Sequence, residues 1–319
     1  MPKKVVSVAY PTIPIVFLGG IRADRRPIYN TMGLAVTDLD ENVRTETTIK
    51  VTDNKNGIKF SLGGKLIEGK RNEDTINSIK SFLKDKKIDV GLEIDSTNYN
   101  IKGGSSDSGL AALFFGLNEL LGTKMKTAEI ANYAMRGSES AIRSVYGGLS
   151  KIVVDTPEMH GLAVASAKDL DAIRIFTVYF DYPTRITADE IHAAIVKHPW
   201  YKHRVQNIPT WIRNIESAIK KKDFVTMLKN SEDNIRNAHY LLEDVGLRVR
   251  RKKIMDCWID VEEMRASGLR AYCLQGGGNL ISIACLKEQA DKVYNELVNR
   301  GWSPLKYKVA GGPKIIRRG

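Results

Sequence analysis

The chain of 319 residues reads as an α+β protein of two domains, 1–170 and 171–319. Three observations predict this. The opening section alternates β-branched and polar residues between turn signals, as strands do. A glycine–serine loop then runs without a break into a long apolar segment, as a loop feeding a buried helix would. Beyond it, polar-faced helical stretches alternate with short strands around a triple glycine. The length exceeds one comfortable core, so about 150 residues per domain is expected.

Taken in order, Val5–Leu18 carries two strands with a break at Pro11, ended by Gly19 and Gly20. Arg22–Pro27 is a polar loop, and Thr31–Thr37 resumes a strand. Arg44–Thr52 alternates strictly and reaches Ile58–Leu66 through the turn-rich residues 53–57, so a hairpin and a β-meander are predicted. Ile76, Ile79, Phe82 and Leu83 lie at helical spacing within Asn72–Lys86, and Asp89–Ser96 is a strand leading to the glycine loop. Thr127 is placed to cap a helix running to about Gly137. Ile173–Tyr182 is a strand, a helix starts near Ala188, and Ile191–Val245 is helical. Arg250–Ala266 is a further helix. The run from Arg270 gives strand, glycine turn and strand, with a helix over Glu288–Arg300 and a strand over Leu305–Val309 closing the fold.

Composition narrows the function. Hydrophobic residues are 43% and charged residues 27%, and no apolar run approaches the roughly 18 residues a membrane span needs. The start of the chain lacks a secretory signal pattern, which reads as cytoplasmic. Cys257, Cys273 and Cys285 are too few for a disulfide framework, and His192, His198, His203 and His239 show no metal-ligand spacing, so they read as structural. A net charge of +12 fits either nucleic acid or an anionic small substrate. The basic runs at Lys220–Lys222, Arg248–Lys253 and Arg317–Arg318 are scattered and lack interleaved aromatics, which favours solvated faces and a small anionic ligand.

Three stretches carry chemistry. Gly103, Gly104, Ser105, Ser106, Asp107, Ser108 and Gly109 precede the apolar run Leu110–Leu121. Glycines permit close backbone approach, and the free N–H groups of a helix start form an anion site, for which phosphate is the natural ligand. The spacing is neither Walker A nor G-x-G-x-x-G. The same residues are ordinary helix-entry types, so capping by Ser106 or Asp107 explains the stretch equally well. In the second stretch, Arg136–Asp155, Glu139 and Arg143 share a helix face at i,i+4. A surface ion pair is one explanation. The crowding of Ser138, Ser140, Ser144, Gly147 and Gly148 favours another, with Arg143 as a bidentate carboxylate or phosphate clamp. In the third, Gly276–Gly278 between Gln275 and Asn279 is either a plain hairpin turn or a place where backbone approaches a ligand.

Together, Y-P-T-I…L-G-G near the start, G-G-S-S-D-S-G, S-E-S-A-I-R-S-V-Y-G-G-L and the late Q-G-G-G-N resemble the GHMP kinase superfamily, in its mevalonate diphosphate decarboxylase branch. The resemblance implies a GHMP kinase fold: an N-terminal domain like ribosomal protein S5 domain 2 and a ferredoxin-like C-terminal domain, with substrate and nucleotide meeting between them. It implies ATP phosphates on Gly103–Ser108 with Lys102 adding charge, Mg2+ on Ser106, and mevalonate carboxylate on Arg143. Glu139 would orient Arg143 or the substrate hydroxyl. Leu18, Gly19, Tyr146 and Gln275 would flank the substrate, and Arg185 would reach its far end or the transferring phosphoryl group. A homodimer is implied as well.

The departures from the branch sharpen the expectation. Decarboxylases of this type keep an aspartate where Gln275 stands and a lysine where Leu18 stands. Without that aspartate the reaction should stop after phosphoryl transfer, as in the archaeal mevalonate 3-kinases, which carry Leu early and Thr at the turn. The resemblance therefore implies ATP-dependent phosphorylation of the 3-hydroxyl of mevalonate, a soluble small-molecule kinase. A decarboxylase acting on phosphorylated mevalonate and a non-catalytic metabolite-binding paralogue are the alternatives.

Overall fold

Alternation along Arg44–Thr52 turns Thr45, Thr47 and Ile49 inward, and this half-polar face decides how the central helix docks. The computed structural model describes residues 3–54, 57–67 and 69–319. Its strands and helices in chain order are β1 (Lys4–Ala9), β2 (Thr12–Val16), β3 (Thr31–Asp38), β4 (Arg44–Thr52), β5 (Ile58–Leu62), β6 (Lys65–Leu66), α1 (Lys70–Asp85), β7 (Gly91–Tyr99), α2 (Ser105–Leu120), α3 (Thr127–Ala134), α4 (Ala141–Tyr146), β8 (Leu149–Val153) and β9 (His160–Ala165). There follow β10 (Ile173–Tyr179), α5 (Ala188–Ile195), α6 (Tyr201–Lys220), α7 (Phe224–Asp244), α8 (Lys252–Ala266), β11 (Ala271–Leu274), β12 (Leu280–Leu286), α9 (Ala290–Asn299), β13 (Leu305–Val309) and β14 (Lys314–Arg318).

One sheet has the order β14-β1-β4-β7-β5-β6; the other runs β11-β12-β10-β13-β3-β8-β9, with β2 paired to β3 beside that path. β13 joins β3, and β14 crosses back to pair with β1, so both halves of the chain contribute to each sheet. The expected hairpin between β4 and β5 does not form. β7 lies between them, antiparallel to β4 along its full nine residues and parallel to β5. The longer ladder wins because it satisfies more backbone groups. Two residues of the expected turn, 55 and 56, lie outside the described set. Strands β8, β9 and β14 form where no strand was expected.

Helix α2 is buried on nearly every side by Leu110, Ala111, Ala112, Leu113, Phe114, Leu117 and Leu120. Small hydroxyl residues seat it on the sheet: Ser7 Oγ donates to the Ala112 carbonyl at 2.6 Å, and Thr45 and Ser108 share a hydrogen bond at 2.6 Å. A Cβ on Gly116 would lie 2.7 Å from Ser7 Oγ, so the close approach needs glycine. The helix axis, and with it the position of its N-terminus, is thereby held. The second core gathers β10, β12, α6, α7 and α8.

Candidate functional site

The helix begins at Ser105, not after the serines as expected. Gly104 is its N-cap, in the left-handed region at φ 73°, and Ser105, Ser106 and Asp107 form its first turn. No side chain caps it. Its first amides, free of intrahelical partners, face a cleft of about 630 Å³, together with Lys102, Gly103, Ser105 and the exposed Ser106. This volume suits a small-molecule site. Ser108 is fully buried and bonded to Thr45, so it is a packing residue, not a phosphate contact.

Across the cleft stand Arg185, Thr187, Asp189 and Ile191 at the start of α5, the glycine turn Gly276–Gly278, Leu280, and Ser282. Ser282 Oγ pairs with Thr177 Oγ1 at 2.9 Å. The turn packs so tightly on α5 that a Cβ on Gly277 would come within 1.7 Å of Ile191 Cδ1.

Behind Ser106 the Asp107 carboxylate accepts hydrogen bonds from Thr12 Oγ1 at 2.6 Å, Ser138 Oγ at 3.3 Å, and Ser140 Oγ. Burial raises its pKa, against the pull of Ser140, Thr12 and the Arg143 charge. Glu139 is buried beside it, with Oε2 3.3 Å from Arg25 Nη2 and Oε1 3.4 Å from His192 Nε2. Burial pushes the Glu139 carboxyl up, but His192, its own backbone amide and the Arg25 charge outweigh that and hold it at about 2. Glu139 is therefore a carboxylate at any physiological pH and a poor proton acceptor.

Arg143 is 5% exposed. Its Nη2 donates to Thr31 Oγ1 at 2.7 Å, while Nε is buried without a partner. Burial lowers its pKa, and Asp107 and Glu139 oppose the change. A Cβ on Gly33 would overlap its Cδ at 2.3 Å, so β3 needs glycine to admit it. A buried guanidinium with an unused N–H is short of one acceptor, and a carboxylate ligand would supply it.

The structure thus gathers Lys102, Gly103, Gly104, Ser105, Ser106, Asp107 and Arg185 on the cleft, with Glu139 and Arg143 in the layer behind. Other expected residues fall elsewhere. Gln275 is completely buried, its Oε1 accepting from Trp258 Nε1 at 2.8 Å and its Nε2 donating to the Val249 carbonyl at 3.2 Å, so it does not flank the substrate space. Strand alternation sends it into the helical layer and leaves its neighbours Leu274 and Gly276 at the cleft. Tyr146 packs its ring against Gly161, and half-buried Leu18 packs with the apolar core around α2. Gly19 is engaged through its backbone, its N–H on Tyr29 Oη at 3.0 Å and its carbonyl accepting from Tyr201 Oη at 2.8 Å. Thr127 does not cap α3; Lys126 is the N-cap, and its amide donates to Glu129. Sequence reading gave no role to the loop residue Arg25 or to Thr31, took Thr12 only as part of Y-P-T-I, and read His192 as structural, because a lone histidine carries no ligand spacing.

Among the described residues, no group of three or more His, Cys, Asp or Glu side chains could hold a metal ion, and no helix is long and apolar enough to cross a membrane. The family model of the diphosphomevalonate decarboxylase-like N-terminal domain matches residues 9–163, and that of the mevalonate-3-kinase C-terminal domain matches residues 186–291. The chain is 29% identical over 318 residues to mevalonate-3-kinase of Picrophilus torridus, covering 97% of each. It is 31% identical over 305 residues to homoserine kinase of Methanococcus maripaludis, covering 92% of this chain and 94% of that one. The crystal structure of mevalonate-3-kinase from Thermoplasma acidophilum with mevalonate 3-phosphate and ADP bound shares the fold, with a TM-score of 0.89 across all of both chains at 23% identity. Matched along both halves, the chain belongs to the GHMP kinase superfamily, in the branch of the diphosphomevalonate decarboxylases and mevalonate 3-kinases.

Proposed function

We propose that this protein is an ATP-dependent kinase that phosphorylates the 3-hydroxyl of mevalonate and does not decarboxylate the product. The observation that carries the reading is the opposition across one cleft of a helix N-terminus and a turn, Gly276–Gly278, that offers no ionisable group. The first suits phosphate. The second removes the carboxylate that decarboxylases of this branch are expected to use.

The residues fit a nucleotide and its metal. The amides of Ser105, Ser106 and Asp107, with Lys102, would hold phosphates, and the exposed Ser106 hydroxyl would be the protein contact to Mg2+. When bound, Mg2+ and ATP supply the neutralising charge and the phosphoryl group. The chain itself positions the acceptor. Arg143 offers its unused Nε to the carboxylate of mevalonate, with Thr31 fixing the guanidinium. The Glu139 carboxylate, held at about 2, accepts a hydrogen bond from the 3-hydroxyl and turns its oxygen toward the phosphate loop. Arg185, exposed at the cleft edge, adds positive charge beside the transferred group. Phosphoryl transfer demands alignment and charge neutralisation more than a strong base, so an ionised Glu139 of low basicity is adequate.

The test is incubation with Mg2+, ATP and mevalonate, following ADP and carbon dioxide together and locating new phosphate by phosphorus NMR. ADP with a tertiary phosphate ester and no gas supports the reading. Gas released in step with ADP would make the enzyme a decarboxylase. Turnover with homoserine in place of mevalonate would move the acceptor specificity to that of the Methanococcus relative.

A further inference from the structure

His192 lies on α5, one residue past Ile191, and touches two segments from the other half of the chain. Its Nδ1 accepts the Gly20 backbone N–H at 3.1 Å, and its Nε2 stands 3.4 Å from Glu139 Oε1. The ring is 5% exposed. A backbone N–H can be met only by an unprotonated ring nitrogen, so Gly20 assigns the tautomer: Nδ1 bare and the proton on Nε2. That puts the proton on the nitrogen that lies 3.4 Å from Glu139 Oε1. The contact is loose, of the kind that tightens when a site fills.

The Gly20 end of this bridge is itself constrained. Gly20 sits at φ 94°, and a Cβ there would lie 2.2 Å from Tyr201 Oη. Gly19 is held on both faces by Tyr29 and Tyr201, and Tyr29 Oη also donates to the Phe17 carbonyl at 3.0 Å. The buried Arg204 donates to the Asn234 carbonyl and Asn237 Oδ1, both at 2.9 Å, and approaches Tyr29 Oη at 3.4 Å. The Phe17–Gly20 backbone is thus a rigid support, and His192 is the group that relays its position to a side chain of the site. Arg25, on the opposite oxygen of Glu139, is 44% exposed and comes from a polar loop, so it cannot fix the carboxylate plane by itself.

We infer that His192 is a positioning residue: as the neutral Nε2–H tautomer set by the Gly20 amide, it donates to Glu139 and aims that carboxylate at the acceptor hydroxyl. It touches neither phosphate nor acceptor. Its kinetic consequence rests on the kinase reading above, whereas the tautomer does not.

Two measurements test it. In nitrogen-15 histidine NMR of the full-length protein at neutral pH, His192 should show a pyridine-like Nδ1 and a pyrrole-like, protonated Nε2. An Nδ1–H ring or an imidazolium would overturn the inference whatever the activity. In kinetics, His192→Gln keeps an amide N–H near the Nε2 position, while His192→Asn keeps only an acceptor near Nδ1. Asn should lower kcat about tenfold to a hundredfold with KM for ATP unchanged, and Gln should recover most of it. If Gln is as slow as Asn at unchanged melting temperature, or Asn is as fast as wild type, the positioning role is overturned. Absence of mevalonate phosphorylation by the wild type would sink the kinase reading instead, and the spectrum would still decide the tautomer.

Discussion

The indole N–H of Trp258 donates to the side-chain carbonyl of Gln275 at 2.8 Å, tying the residue before the glycine turn to α8 and away from the cleft. The residue at which the resemblance leads one to expect a decarboxylase's aspartate is a core amide here. The buried amide satisfies both its own polar ends and the indole, which an apolar residue would leave unpaired.

Gln275→Asp should not create a decarboxylase. The shorter carboxylate would lie in the same buried position, near the Val249 carbonyl, with no cation bonded to Gln275 to compensate it. The expected result is a loss of about 2–4 kcal/mol of stability by denaturant titration, and no carbon dioxide from mevalonate and ATP. Stoichiometric gas from this variant would refute the placement.

Arg143→Met should raise KM for the acceptor about a hundredfold while leaving KM for ATP within a few-fold. Arg143 Nε is buried without a partner, and the proposed function places the acceptor's carboxylate on it. Steady-state kinetics with each substrate varied in turn decides it. An equal rise in both constants would point to a general collapse of the site.

Glu139 ties stability to acid. Its folded-state pKa of about 2 lies below the ordinary 4.5, so its contribution is fully present above pH 4.5 and lost as pH falls toward 2. Glu139→Gln lacks that contribution. The melting temperature of the wild type should exceed that of the variant at pH 6, and the gap should narrow steadily below pH 4.5. A gap independent of pH would mean that the carboxylate gains nothing from Arg25 and His192.

Gly104→Ala forces a Cβ into the left-handed region and to 3.1 Å from the Thr12 backbone. A cost of about 1–2 kcal/mol is expected from the conformation alone. Displacing the first amides of α2 should also raise KM for ATP about tenfold, read by coupled ADP assay. Unchanged ATP kinetics at reduced stability would take the phosphates away from this helix end.

Much of this protein was legible before folding was considered. Strand alternation at Arg44–Thr52 and the loop that enters an apolar helix at Gly104 are local facts, set by side-chain period and backbone sterics. So is the absence of an acid in the glycine turn. The expected i,i+4 pairing of Glu139 and Arg143 is not among them: α4 begins only at Ala141, and Glu139 turns to Arg25 and His192 while Arg143 turns to Thr31. What each side chain does with its polar atoms was decided only by tertiary structure. Gln275 turned to Trp258 instead of the cleft, and Asp107 took three hydroxyls instead of capping α2. β7 displaced β5 from β4, and His192, with no motif to mark it, came to stand between Gly20 and Glu139. The reason is distance along the chain: Gly20 and His192 are 172 residues apart, and Thr12 and Asp107 are 95 apart. A hydrogen bond's partner is chosen by which groups burial brings within 3 Å, and short-range patterns hold no record of that choice.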